Sequence, residues 1–294
     1  MKKLLFIYNS FAGTGVLRPS LADVLEIFVA EGYEVTAHPT QAAGDGLIKT
    51  KSYTEEYDLV VCSGGDGTLN EVVNGMVARP KKIPIGYIPA GTTNDFAKSM
   101  GIPRNMLQAA RLAVSGAPFG RDVGRLNDQF FTYVAACGIF TDVSYETDQD
   151  VKNVIGHLAY VLEGAKRVFN VPSVAARVMG DDLEMEDEFV LMMVTNALSV
   201  GGFKGLVLED AVFNDGLFEV SLIKRPKNPK ELNDIVSAIV LKNINSDIVT
   251  SFKTSRIEIE FEEAVQWTLD GEFGGNHKRV VIENQKELLE FIVP

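Results

Sequence analysis

The sixteen residues from Val60 to Gly75, Val-Val-Cys-Ser-Gly-Gly-Asp-Gly-Thr-Leu-Asn-Glu-Val-Val-Asn-Gly, constrain this chain most, because they join a strand end, a glycine turn and a helix start. Gly64, Gly65 and Gly67 leave room for a ligand to touch backbone, and the amides of a helix beginning near Thr68 favour an anion. That is a phosphate cradle in outline. Asp66 does not fit it, since a carboxylate among phosphate-binding amides repels the ligand unless a cation joins them or the group handles a proton. A nucleotide carried with Mg2+ removes the conflict. The plain alternative is an ordinary glycine turn between strand and helix, and the rest of the chain must decide.

The 294 residues suffice for two domains, and 46% hydrophobic content suits a sizeable core. A formal charge of -12 and a pI near 4.8 argue against nucleic acid as a partner and oppose attraction to an anionic bilayer. Cys62 and Cys137 make no disulfide framework and suit a reducing, cytoplasmic setting. Met-Lys-Lys at the start is like a signal-peptide n-region, but the apolar run Leu4 to Tyr8 breaks at Asn9, too short for an h-region. No apolar stretch is long enough for a transmembrane segment. His38, His157 and His277 are too scattered for a metal site.

Leu4 to Tyr8 reads as a buried first strand, followed by a small-residue loop through Ala12, Gly13 and Gly15. A helix opens at Pro19, carries Leu21, Val24, Leu25 and Phe28 on one face, and ends at Gly32. Strands follow at 35–40, 58–62 and 83–88, with helices at 45–56, from Thr68 to about Ala78, and from about Thr93 and Asn105. This alternation predicts a parallel α/β sheet with its ligand loops beyond the strand C-termini, so that the loops near residues 10, 65 and 91 share one edge. From about Phe119 the pattern changes to a hairpin around Asn127-Asp128, a long helix through Val154, Leu158, Val161, Leu162, Ala165, Val168 and Phe169, and short strands near 173–179, 182–197, 206–208, 217–224, 255–261, 265–269 and 279–283. A polar helical insertion falls near 228–242. The expected domains are 1–121, completed by a final strand within 286–294, and 122–285, mainly antiparallel β.

Gly64-Gly65-Asp66-Gly67-Thr68-Leu69-Asn70-Glu71, Pro89-Ala90-Gly91-Thr92-Thr93-Asn94-Asp95-Phe96-Ala97 and Asp270-Gly271-Glu272 together resemble the diacylglycerol kinase catalytic family, particularly its soluble bacterial lipid kinases. Asp122-Val123-Gly124-Arg125-Leu126-Asn127 resembles the family's domain junction, and Asn214-Asp215-Gly216-Leu217 its later metal-binding turn. The resemblance covers nearly the whole chain. It implies an α/β nucleotide-binding domain like those of NAD kinases and phosphofructokinases, an antiparallel β-sandwich second domain, and an active cleft between them. The first loop departs from the family's Asn-Pro and following lysine, having Asn9-Ser10-Phe11-Ala12-Gly13-Thr14 instead, which leaves phosphate contacts there to amides and Arg18.

The resemblance implies ATP and Mg2+, with phosphates and ribose held by Asn9, Gly13, Thr40, Gly64, Gly65, Asp66, Gly67, Thr68, Leu69, Asn70, Gly91 and Thr92. Phosphoryl transfer needs positioning, charge stabilisation and a base for the acceptor hydroxyl. Asp66, Asp95 and Asp122 offer the hard oxygens Mg2+ prefers. Asp95 has a rival reading as helix N-cap or first-turn residue, and Asp122 as partner of Arg125. Glu272 or Asp270 is the base, against the plain reading of Asp-Gly-Glu as a hairpin turn. Asn214-Asp215-Gly216 reads locally as a type I′ turn, whereas the family likeness implies a second Mg2+ on Asp215 and the carbonyls near Val212 and Leu217. Lys98 and Lys166 face phosphate or solvent. The run Lys224-Arg225-Pro226-Lys227-Asn228-Pro229-Lys230 is either a solvated loop or a contact for anionic headgroups.

The expected function is ATP-dependent phosphorylation of a lipid hydroxyl, most simply diacylglycerol to phosphatidic acid, by a cytoplasmic enzyme that touches the membrane surface transiently; the oligomeric state is open, an exposed strand of the second domain being able to pair in a homodimer. NAD kinase and a catalytically idle nucleotide-binding module are the alternatives.

Overall fold

A computed structural model of the chain describes residues 1–13, 15, 17–138, 172–181, 183–198, 200, 211–228, 230–231, 234–235 and 248–294. The expected helix from Val154 to Phe169, with Lys166, and the strand at 206–208 lie outside the described residues, as does most of the insertion at 228–242. Two compact units divide the chain: Met1–Val123 with Lys286–Pro294, and Gly124–Gln285.

The first unit runs β1 (Lys2–Tyr8), a 3-10 turn at Arg18–Ser20, α1 (Leu21–Ala30), β2 (Tyr33–Pro39), α2 (Asp45–Ser52), β3 (Leu59–Gly64), α3 (Asp66–Val77), β4 (Ile85–Pro89), α4 (Asp95–Ser99), α5 (Met106–Ser115) and the start of β5 (Ala117–Leu126). β2, β1, β3 and β4 pair side by side and all in parallel, and Phe291 near the chain's end pairs in parallel with Ile85 of β4. Continuous apolar runs are what such a sheet requires, because helices cover both faces. Leu4 to Ile7 and Val60 to Cys62 are accordingly buried. Phe28 of α1 meets Phe6 edge-on at 5.3 Å, and Phe96 of α4 lies 4.8 Å from Phe291.

Helix α2 stops at Ser52, short of the expected residue 56, for a visible reason. Arg79 donates from Nη1 to the carbonyls of Lys51 and Tyr53 at 3.1 and 3.0 Å, satisfying that helix end, and its guanidinium covers the Tyr53 ring at 3.4 Å. The other end of α2 is held from α3: the Glu71 carboxylate accepts the amides of Gly44 and Gly46 at 2.6 and 2.9 Å. Between those ties α2 and α3 pack closely at Gly75.

The second unit takes the rest of β5, β6 (Gln129–Phe131), β7 (Val134–Gly138), β8 (Val174–Gly180), β9 (Glu184–Thr195), β10 (Phe218–Lys224), β11 (Val249–Thr254), β12 (Arg256–Leu269) and the start of β13 (Glu272–Val293). Its strand pairs are antiparallel. β9 and β12 change partner midway, each pairing β8 with its first half and β7 with its second. That exchange lets antiparallel strands wrap one core, built on Phe131, Phe189, Phe218 and Trp267. The expected strands 255–261 and 265–269 are one strand whose register with β13 slips between Glu260 and Val265. β11, absent from the sequence reading, pairs β10.

A Cβ on Gly75 would stand 2.6 Å from Thr50 Cβ and 2.7 Å from the Leu47 carbonyl oxygen. Gly75→Ala is therefore expected to destabilise the protein by about 1–3 kcal/mol, read as a lower urea midpoint at unchanged m-value.

Candidate functional site

Because β1, β3 and β4 are parallel neighbours, the loops after them leave the sheet at one edge. Their backbones touch there. A Cβ on Gly13 would lie 2.6 Å from the Ala90 carbonyl oxygen, and one on Gly91 2.6 Å from Gly65 Cα. Gly13 is in the left-handed region (φ +57°). Asn94 staples the third loop: its Oδ1 accepts the Gly91 amide at 3.1 Å and its Nδ2 donates to the Gly91 carbonyl at 2.5 Å. Tyr87 donates to the Gly64 carbonyl at 3.0 Å, and burial, reinforced by the Asp66 charge, pushes its pKa up so that it stays a neutral donor.

Helix α3 starts at Asp66, two residues earlier than expected, with Gly65 as an extended N-cap. Leu69 closes the first turn onto the Gly65 carbonyl, so the amides of Gly67 and Thr68 precede the first helical bond and face out of the helix start. The Thr68 side chain folds back onto Gly64, where an added Cβ would be 2.5 Å from it. Asn70 lies on the next turn and its Oδ1 accepts from Asn74 at 3.0 Å. Asn9 continues the first loop, its Oδ1 accepting the Phe11 amide at 2.9 Å, and Thr40 returns its amide to the Tyr8 carbonyl. Thr92 is exposed beside Gly91. Arg18 lies over the Phe11 ring at 4.3 Å.

The carboxylate that seemed out of place has amide partners. Asp66 accepts the backbone N–H groups of Asp95 and Phe96 at 3.2 and 3.4 Å, at the start of α4. Its presence in a glycine turn thus needs no cation to explain it. Asp95 is a first-turn residue, buried, and the exposed Lys98 pairs with it at 3.2 Å. Asp122 is fully buried and its Oδ1 accepts the Glu287 amide at 2.8 Å. Arg125 pairs with Glu283, not with Asp122. Both cysteines are buried thiols whose pKa burial pushes up, which removes them as nucleophiles.

In the second unit Asp270 and Glu272 part ways. Leu269 pairs with Glu272 across a two-residue turn in which Asp270 (φ +52°) and Gly271 (φ +87°) are both left-handed, the signature of a type I′ hairpin. Asp270 is buried, and its carboxylate accepts the amides of Thr132, Tyr133 and Val134 at 2.7, 2.9 and 3.1 Å and the Thr132 hydroxyl at 2.8 Å. It holds the start of β7 against the turn. Glu272 is exposed one residue beyond that turn. Asp-Gly-Glu is thus a hairpin turn, as its plain reading has it, with Asp270 tied into the fold and Glu272 left exposed.

Asn214-Asp215-Gly216 is not a type I′ turn, since only Gly216 of the three is left-handed (φ +87°). It is an Asx turn, Asp215 Oδ1 accepting the Leu217 amide at 2.9 Å. The Leu217 carbonyl accepts Asn284 Nδ2 at 3.2 Å and retains a second lone pair, and Val212 is half exposed. Asp215, Val212 and Leu217 therefore offer oxygen donors of the kind Mg2+ takes. Among the described residues no three His, Cys, Asp or Glu side chains gather as a metal site. Nor is any described helix long and apolar enough to cross a membrane. Two of the four basic side chains in the run are paired within the chain: Lys224 with Asp187 at 3.0 Å and Arg225 with Glu188 at 2.6 Å. Glu71, Tyr87 and Asn94 went unassigned in the sequence; two sit inside the recognised motifs, while Tyr87 carries no sequence signal.

Asp270→Asn would turn an acceptor oxygen into an N–H group facing buried donors and is expected to cost about 3 kcal/mol. Glu272→Gln should change stability by less than about 0.5 kcal/mol, as exposed substitutions do. Chemical denaturation of both variants measures the contrast.

Residues 3–126 match the diacylglycerol kinase catalytic domain, and residues 134–289 match the YegS C-terminal NAD kinase beta sandwich-like domain. A diacylglycerol kinase of Bacillus subtilis is 35% identical over 277 residues, 94% of this chain and 91% of its own. One from Staphylococcus carnosus is 34% identical over 295 residues, 100% and 95% of the two chains. A Bacillus anthracis crystal structure superposes with a TM-score of 0.83 at 27% identity, covering 100% of this chain and 98% of the other. With both family models matched in order and full-length relatives at this identity, the chain belongs to the diacylglycerol kinase family and is a lipid kinase.

Proposed function

We propose that the protein transfers the γ-phosphate of ATP to the free hydroxyl of diacylglycerol, forming phosphatidic acid and ADP. The observation that carries the nucleotide half is the meeting of three glycine loops at one sheet edge, with Gly13 against Ala90 and Gly65 against Gly91. Side chains at those positions would part the loops, and backbone amides at the start of α3 suit phosphate oxygens. Asn9, Thr40, Thr68, Leu69, Asn70 and Thr92 complete the nucleotide surface.

Glu272 serves as the base. Of the two candidate carboxylates it is the exposed one, whereas the oxygens of Asp270 are occupied by four donors from Thr132 to Val134. Asp270 is a positioning residue that sets the hairpin. As the acceptor oxygen bonds to the γ-phosphorus, its proton passes to the Glu272 carboxylate; the bond between that phosphorus and the β-phosphate bridging oxygen breaks, and ADP leaves. Asp66, Asp95 and Asp122 are the residues that would hold the Mg2+ of the nucleotide, and Asp215 with the carbonyls of Val212 and Leu217 would hold a second, structural ion. Mg2+ when bound neutralises charge on the phosphate oxygens.

Purified protein incubated with labelled ATP, Mg2+ and mixed micelles of diacylglycerol, with NAD in a parallel tube, should yield labelled phosphatidic acid. Labelled NADP or no transfer would overturn the reading. Glu272→Gln is expected to lower kcat by about 100-fold or more, as loss of a general base does, with ATP affinity by calorimetry changed less than about twofold.

A further inference from the structure

Among the described phenylalanines two stand well out of the core, Phe11 at 72% exposure and Phe273 at 64%. They differ in their surroundings. The Phe11 ring is covered by Arg18, whereas Phe273 has no ring or cation partner among the described residues. Phe273 immediately follows Glu272 at the tip of the β12–β13 hairpin.

That tip is held on both sides. Before it, Asp270 is fixed through its carboxylate, through its amide to the Val134 carbonyl at 2.9 Å, and through its carbonyl, which accepts the Tyr133 hydroxyl at 3.2 Å. After it, the Gly274 carbonyl accepts Gln129 Nε2 at 3.0 Å, and a Cβ on Gly274 would meet Leu269 Cγ at 2.8 Å. The backbone carrying Phe273 therefore cannot withdraw the ring without breaking buried hydrogen bonds. Covering such a ring removes its apolar area from water, which favours a partner that can take it.

Charge says what kind of partner. The formal charge of -12 opposes attraction to an anionic surface, and the ion pairs of Lys224 and Arg225 with Asp187 and Glu188 take up two of the four cations of the densest basic run. Contact with a lipid surface then draws on apolar groups as well. Glu272 and Phe273 are consecutive at the hairpin tip and both exposed, so a ring seated in the interface, where aromatic rings are favoured, fixes how far the adjoining carboxylate stands from it.

We infer that Phe273 is the wedge by which the β12–β13 tip seats in the lipid surface, setting the depth at which Glu272 meets an acceptor hydroxyl. The inference rests on the reading of Glu272 as base to a lipid acceptor. The occupant is the acyl–headgroup boundary of a lipid assembly.

Two measurements separate this inference from that reading. In the first, Phe273→Trp is mixed with vesicles of phosphatidylcholine and diacylglycerol carrying brominated acyl chains. Wild-type emission comes from Trp267, which is fully buried, and should be quenched little, while the added indole should be quenched strongly. Equal quenching in the two proteins overturns the inference, whether or not the enzyme turns over. In the second, activity on vesicle-borne diacylglycerol is divided by activity on a short-chain diacylglycerol below its micelle concentration. Phe273→Ala should lower that ratio about tenfold, equivalent to about 1.4 kcal/mol, and Phe273→Leu should restore most of it. An unchanged ratio overturns the wedge and leaves the kinase reading intact. Absence of lipid phosphorylation by wild type in both formats overturns the kinase reading, and quenching then decides the wedge alone.

Discussion

Close approach of backbone to backbone organises the first unit. Three parallel strands deliver three loops to one edge, and the loops reach one another only because Gly13, Gly65 and Gly91 have no side chain at the points of contact. The apolar runs of β1, β3 and β4 make the sheet; the glycines decide what its edge is like. Asn94 and Tyr87 then lock the third loop and the end of β3 with neutral, buried hydrogen bonds. The result is a surface of peptide groups whose shape is set before any ligand arrives.

A second theme is how an acidic chain uses its part-buried and buried carboxylates. Asp66, Glu71, Asp122 and Asp270 all accept backbone N–H groups from segments distant in sequence. Each ties a loop or helix start to its neighbour. Charge-assisted bonds of this sort are stronger than neutral ones, and in a dry setting the donors would be costly to leave unmatched. Against that background Glu272, exposed at a hairpin tip, is not one of the carboxylates that tie distant segments together.

Much of the first unit was legible because its signals are local. Parallel strands read as continuous apolar runs, and glycine clusters fall where strands end. Helix ends were less legible: nothing near Ser52 announces that Arg79, 27 positions later, will take its terminal carbonyls. In the second unit the β12 strand looked like two because Glu262 and Glu263 face solvent across the register slip. The same reasoning explains the candidate site. Motifs marked which segments matter, but two carboxylates on either side of one glycine are equivalent in sequence. Only the amides of Thr132 to Val134, contributed from 136 to 138 positions away, distinguish Asp270 from Glu272.

Phe291 belongs to the core of the first unit, tilted against Phe96 and paired with β4, although more than 160 residues separate Gly124 from that strand's end. On a ribosome the strands β1 to β4 emerge long before it does. Nascent chain would hold an open edge at β4 until translation is nearly finished, so the first unit, first to be made, is the last to be sealed.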